Sequence, residues 1–255
     1  MARGDWLDFY LVKDELTLHT TEEVDEAEAV LGLRLPDGYR ELVTTLGDGV
    51  ISGLLRVCRP ADLPRRQGFL AEVLHRGWFY DEPDETMSRT NAMESVMVAD
   101  TLDGDVIIFH PDTRQLHVLP RHDTRTHAVG SNLWALVDWL QDSGVIVNPH
   151  PFRHFESFVG PTEGANGNGT GIDVDRVAEA ITALGVHDAM EHADSEFTFF
   201  VRAIGGYISV YDVNGSEMGA HLRYQTDRGH DVRASLQRAV EAAGVTFGDP
   251  WSMAP

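Results

Sequence analysis

The stretch VMVADTLDGDVIIFHPDTRQLHVL, residues 96–119, decides the fold class. Val96-Met97-Val98-Ala99 and Val106-Ile107-Ile108-Phe109 are apolar runs too short for helices and rich in strand-forming residues. Between them, Asp103-Gly104 offers the turn chemistry of a tight hairpin, and Asp112-Thr113 turns the chain again into Gln115 to Leu119. Strands joined by such short turns pair antiparallel, because a parallel pair needs a long crossover. The expectation is an α+β fold, with a mainly antiparallel sheet flanked by helices.

Reading outward toward the N-terminus, Thr20-Thr21-Glu22-Glu23 places capping hydroxyls and carboxylates at the start of a helix. Val24, Ala27, Val30 and Leu31 follow at helical spacing and Gly32 ends it. Pro36 suits the first turn of a second helix, whose apolar face is Tyr39, Leu42, Val43 and Leu46. Val50 to Val57 reads as one strand and Pro60 to His75 as a helix, followed by a polar stretch containing proline. Toward the C-terminus, Leu133, Trp134, Leu136, Val137 and Leu140 form the apolar side of a further helix, capped by Ser131 or Asn132.

Residues 160–171, GPTEGANGNGTG, contain five glycines and no bulky apolar side chain. A segment with nothing to bury reads as a flexible linker. It divides the chain into domains at 1–159 and 172–255. The second reads as a small α-β-β-β-α domain: a helix opened by Asp173, strands Glu196–Ile204, Tyr207–Val213 and Met218–Tyr224, and a closing helix with Val232, Leu236, Ala239, Val240 and Ala243.

The run LGLRLPDGYREL (31–42), the break Gly47-Asp48-Gly49, the segments 96–100 and 104–108, and a last helix from Asn132 to Leu140 occur in an order that resembles the SUKH superfamily of cell-wall assembly regulators and bacterial immunity proteins. The resemblance covers about residues 20–143. It implies a binding module without shared catalytic residues, and in bacteria an immunity protein that occludes a toxin, often a nuclease.

Charge narrows the partners. Against 20 basic residues stand 41 acidic ones, a net of −21, and Lys13 is the sole lysine. Such a field repels nucleic acid and anionic membranes and attracts basic proteins. Cys58 is the single cysteine, so no internal disulfide can form, and neither a signal peptide nor a membrane-length apolar run is evident; the expected compartment is the cytoplasm.

Motifs for chemistry are weak. His117, His122 and His127 recur every five residues, which suits neither a helix face nor a strand face, while Pro149 and Pro151 argue against a helix joining His150 to His154. These histidines read as polar loop residues, so no metal is expected. Asp100, Asp103 and Asp105 lack calcium-loop spacing, and residues 167–171 lack the strand and lysine of a phosphate loop. Cys58, in an apparent strand, reads as packed. No cofactor and no catalytic residue are expected, and the chain reads as a non-enzyme.

For partner binding the candidate segment is Trp78, Phe79 and Tyr80 with Asp81, Glu82, Asp84 and Glu85, three aromatics beside four carboxylates in a loop. Rings can anchor an interface while carboxylates steer a basic partner toward it. The functional expectation is an immunity protein that neutralises a basic toxin by occlusion, with a scaffold joining two partners as the alternative.

Overall fold

The computed structural model describes residues 5–80, 87–147, 152–193 and 195–253. It divides into two compact units, Met1–Tyr10 with Leu16–Ser157, and Leu11–Glu15 with Phe158–Pro255. Among the described residues, seven α-helices and two sheets rich in antiparallel pairing make this an α+β protein.

In chain order, the strands and helices of the first unit are β1 (Tyr10–Leu11), α1 (Thr21–Leu31), α2 (Tyr39–Thr45), β2 (Gly49–Ile51), β3 (Leu55–Val57), α3 (Leu63–Arg76), α4 (Arg89–Glu94), β4 (Val96–Thr101), β5 (Val106–His110), β6 (Gln115–Leu119), β7 (His127–Gly130), α5 (Leu133–Asp142) and β8 (His154–Ser157). Their sheet runs β1-β8-β2-β3-β4-β5-β6-β7. The strands β4, β5 and β6 form its middle because their own side chains are apolar on both faces: Val96, Val98, Ile107, Ile108, Phe109, Leu116 and Val118 are all fully buried. The helix α3 covers β4, and α5 packs against β7.

The helix ends follow their capping chemistry. The Thr20 hydroxyl accepts from the Glu23 N–H at 3.2 Å, and the Glu23 carboxylate accepts from the Thr20 N–H at 2.7 Å. That last bond, from the Thr20 amide, and then the nearby His19 hold the Glu23 carboxyl below its usual range. At the start of α5, Asn132 Oδ1 accepts from the Ala135 N–H at 2.9 Å.

One expected strand is two. Between β2 and β3 the chain reverses through Ser52 and Gly53, both in the left-handed region, so Val50–Val57 is a tight hairpin and not a continuous strand. The histidines also differ from expectation. His117 lies in β6, fully buried, His127 lies in β7 and His154 is buried in β8. Only His122 of the described ones sits in an exposed turn, and His150 lies outside the described residues. Their five-residue spacing reflects hairpin lengths, not a loop.

The second unit contains β9 (Thr162–Thr170), α6 (Val174–Leu184), β10 (Ala189–Ala193), β11 (Glu196–Val201), β12 (Gly206–Asp212), β13 (Glu217–Gln225), α7 (His230–Ala242), β14 (Thr246–Phe247) and β15 (Trp251–Met253). The sheet order is β10-β11-β12-β13-β9-β14, and β15 also pairs with β9. Val177 and Ile181 of α6 and Leu236 and Val240 of α7 pack with Phe199, Ile208, Val210, Ala220 and Leu222 into one core.

Here the expected linker is overturned. Residues 162–170 form an interior strand, in register with all of β13 from Thr162 opposite Gln225 to Thr170 opposite Glu217. Its other edge takes β14 and β15. The strand buries little of its own, and its glycines instead admit the side chains of others. A Cβ on Gly167 would lie 2.8 Å from Val245 Cγ1, and one on Gly164 would lie 2.8 Å from the Trp251 ring. The α-β-β-β-α reading is therefore short of four strands: β9 and β10 ahead of the meander, and β14 and β15 after it. The five residues Leu11–Glu15 complete this unit. Lys13, 2% exposed, donates from Nζ to the Thr162 hydroxyl at 2.8 Å and to the Val159 carbonyl at 3.3 Å. Asp14 pairs with Arg228 at 3.3 Å.

Candidate functional site

The expected aromatic segment divides on inspection. Tyr80 is buried and its hydroxyl donates to the Pro120 carbonyl at 3.1 Å; burial, and then Asp105, pushes the phenol pKa upward. Trp78 lies half-buried with its ring edge-on to Tyr80 at 5.0 Å, and Phe79, 49% exposed, packs against the other side at 4.3 Å. Tyr80 is thus a structural plug, and only Phe79 offers substantial free ring area. Asp81, Glu82, Asp84 and Glu85 lie outside the described residues.

The acidic side chains considered for calcium have other work. Asp100 takes a two-pronged bond from Arg56, at 2.7 and 2.8 Å, with Arg66 at 3.4 Å. Asp105 accepts from the Thr101 hydroxyl at 2.5 Å and from the Arg121 N–H at 2.8 Å, fastening the β4–β5 turn. Cys58 follows β3 and is buried; burial, and then the Asp100 charge, pushes its thiol up to about 12, which leaves almost no thiolate at neutral pH. Among the described residues no three His, Cys, Asp or Glu side chains gather as a metal site requires. No described helix is long and apolar enough to cross a membrane.

A different place in the first unit has the makings of a site. A groove of about 1050 Å³ is walled by Trp6, Trp134 and Trp139 and by the carboxylates of Asp5, Asp37, Glu41 and Asp138, with Arg153 the one cation of its lining among the described residues. Four local devices build it. Asp5 caps the 3-10 turn Trp6–Asp8, accepting from the Leu7 N–H at 3.0 Å, and so fixes Trp6. The left-handed backbone at Gly38, φ 86°, turns the chain into α2 and sets Asp37 and Glu41 on the rim. The Leu133 N–H donates to the Asp37 carbonyl at 2.9 Å, tying that rim to α5. The α5 helix then presents Trp134, Ala135, Asp138 and Trp139 on one side while Leu133, Leu136, Val137 and Leu140 enter the core on the other.

Within the groove Trp6 and Trp134 stack, with centroids 3.8 Å apart and planes 17° from parallel. Arg153 lies 5.6 Å from the Trp134 ring centre and bonds Asp138 at 2.5 Å and Gln141 at 3.0 Å. The groove thus already holds one guanidinium between an aromatic face and a carboxylate. Trp139 faces His127 at 5.2 Å, and Arg114 approaches Asp37 at 3.3 Å from outside the groove.

Sequence reasoning missed this site because its walls come from residues 5–6, 37–45, 128–139 and 153. It also assigned Trp134 to the buried face of α5, whereas Trp134 is half-exposed. The signal was the spacing Trp134, Asp138, Trp139 on the side of α5 opposite its leucines. No family model, curated protein or solved structure matches this chain.

Proposed function

We propose that this protein is a non-catalytic binder that takes a basic protein partner into the tryptophan-lined acidic groove of its first unit. The observation that carries the reading is the lining itself: the part-exposed indoles of Trp134 and Trp139 beside four carboxylates. Of these, Asp37 and Asp138 pair with Arg114 and Arg153, while Asp5 and Glu41 have no arginine partner among the described residues. Aromatic anchors in a concave site supply contact energy, and surrounding carboxylates steer and select a cationic partner. A net charge of −21 extends the steering field. The partner class is a basic toxin domain neutralised by occlusion; the resemblance of residues 20–143 to SUKH proteins supports that assignment.

The test is affinity capture from the native organism's lysate at ~50 mM and ~500 mM salt, which bracket weak and strong screening. The bait is the wild-type chain beside Trp139→Ala and Glu41→Gln. One basic protein retained by the wild type, released by salt and lost with both variants is the expected outcome. Capture that neither variant weakens removes the groove from the reading.

A scaffold role is the second reading, favoured by the division into two units that each bury apolar residues of their own. Two unrelated proteins, one lost with the groove variants and one unaffected by them, would select it.

A further inference from the structure

Resting on the groove reading, we infer that the groove selects its basic partner through an arginine side chain and discriminates against lysine. What points there is the guanidinium the groove already holds. Trp134 and Asp138 stand four residues apart on α5, so ring and carboxylate share one side of the helix. Arg153 fits both. Its guanidinium carbon lies 5.6 Å from the Trp134 ring centre, within cation–π range, and Nη2 donates to Asp138 at 2.5 Å. Its Nε donates to the Gln141 side-chain oxygen at 3.0 Å, so two edges of one plane are used at once. An ammonium has no plane to lay on an indole, and it holds its water more tightly.

The same lining contains these ingredients a second time. Trp139 is part-exposed, and Asp5 and Glu41 are exposed carboxylates with no arginine partner among the described residues. An incoming arginine can lay its plane on an indole and direct its donors to a carboxylate, as Arg153 does with Trp134 and Asp138. A second copy of this chain is a poor source of that arginine, because two bodies of net charge −21 repel each other. The arginine belongs to a basic protein.

The probe is a terminally blocked tetra-arginine peptide, titrated into the full chain by calorimetry at ~150 mM salt, where distant charges are screened. One twin is tetralysine, equal in charge; the other is tetracitrulline, equal in shape and uncharged. The arginine peptide is expected to bind at least ~5-fold more tightly than the lysine twin, and the citrulline twin should not bind. Trp139→Ala should remove the preference for arginine, and Trp139→Phe, which keeps a ring, should retain part of it. Glu41→Gln should weaken both cationic peptides and leave their ratio unchanged. Glu179→Gln, the same charge change at an exposed position of α6, should alter neither affinity.

Equal binding of the two cationic peptides, or a preference that survives Trp139→Ala, overturns arginine selection; the basic-partner reading then stands if Glu41→Gln still weakens both. Equal weakening by Glu41→Gln and Glu179→Gln assigns the binding to the overall charge and overturns the groove. Failure of both cationic peptides to bind overturns arginine selection and the basic-partner reading together.

Discussion

Strands β5 and β9 both lie inside a sheet, and they are buried by opposite means. β5 supplies its own bulk: Ile107, Ile108 and Phe109 are fully buried. β9, TEGANGNGT, supplies almost none, and its backbone is covered by Trp251, Val245, Phe247 and Ile172 from elsewhere in its unit. A strand can therefore be specified by its own side chains or by its neighbours' side chains, and only the first kind announces itself in a local window. The difference also reverses the effect of volume. Removing atoms should damage β5, and adding them should damage β9.

The largest effect is expected at the β5 end of that contrast. Phe109→Ala empties a fully buried site and should destabilise the first unit by ~3–5 kcal/mol in denaturant unfolding. A loss below ~1 kcal/mol would mean that β5 does not carry its own burial.

Gly167→Val is the mirror experiment. Strand propensity alone favours valine there, yet its Cβ would lie 2.8 Å from Val245 and 3.1 Å from Phe247. Destabilisation of ~1–3 kcal/mol is expected from overpacking, and a stabilised variant would break the comparison.

A double-mutant cycle sharpens it. Gly164→Ala should be unfavourable in the wild type and nearly harmless with Trp251→Ala, whose ring occupies that space. The coupling should fall in the lower part of the ~0.5–3 kcal/mol range for residues in contact, because Trp251 is 40% exposed. Strict additivity would show that the indole does not cover β9.

The smallest effect is one of pH. His221 bonds Asn166 of β9 at 2.8 Å, and burial, followed by Arg223, lowers its pKa below 6.5. The unfolded chain therefore takes up this proton at a higher pH than the folded one. The contribution of His221 is fully present above pH 6.5 and is lost as the pH falls toward the lowered folded value. His221→Gln should remove that acid-side loss from the pH profile of second-unit stability. An unchanged profile would place the titration elsewhere.

The readable parts of the sequence were those whose reasons are local. The β4–β5 and β5–β6 turns, the capping box at Thr20 and the Asn132 cap each lie within a few residues of what they control. The β2–β3 hairpin escaped because its turn uses Ser52, a non-glycine residue in the left-handed region. The short helix α4, capped by Ser88, was lost in a stretch that reads as polar loop. β9 escaped because its reasons stand at 172, 245–247 and 251. The groove is the same case at longer range: Trp6 and Trp134 stack across most of the first unit's sequence, and no window contains both.

The placement of Leu11–Glu15 sets a schedule for biosynthesis. Lys13 leaves the ribosome 149 residues ahead of Thr162, the partner of its ammonium. At ~5–20 residues per second, that leaves the segment waiting ~7–30 s, long after the intervening chain could have folded. The second unit thus cannot close from residues 158–253 alone. It closes only when Thr162 and its neighbours return to Lys13, synthesised long before them.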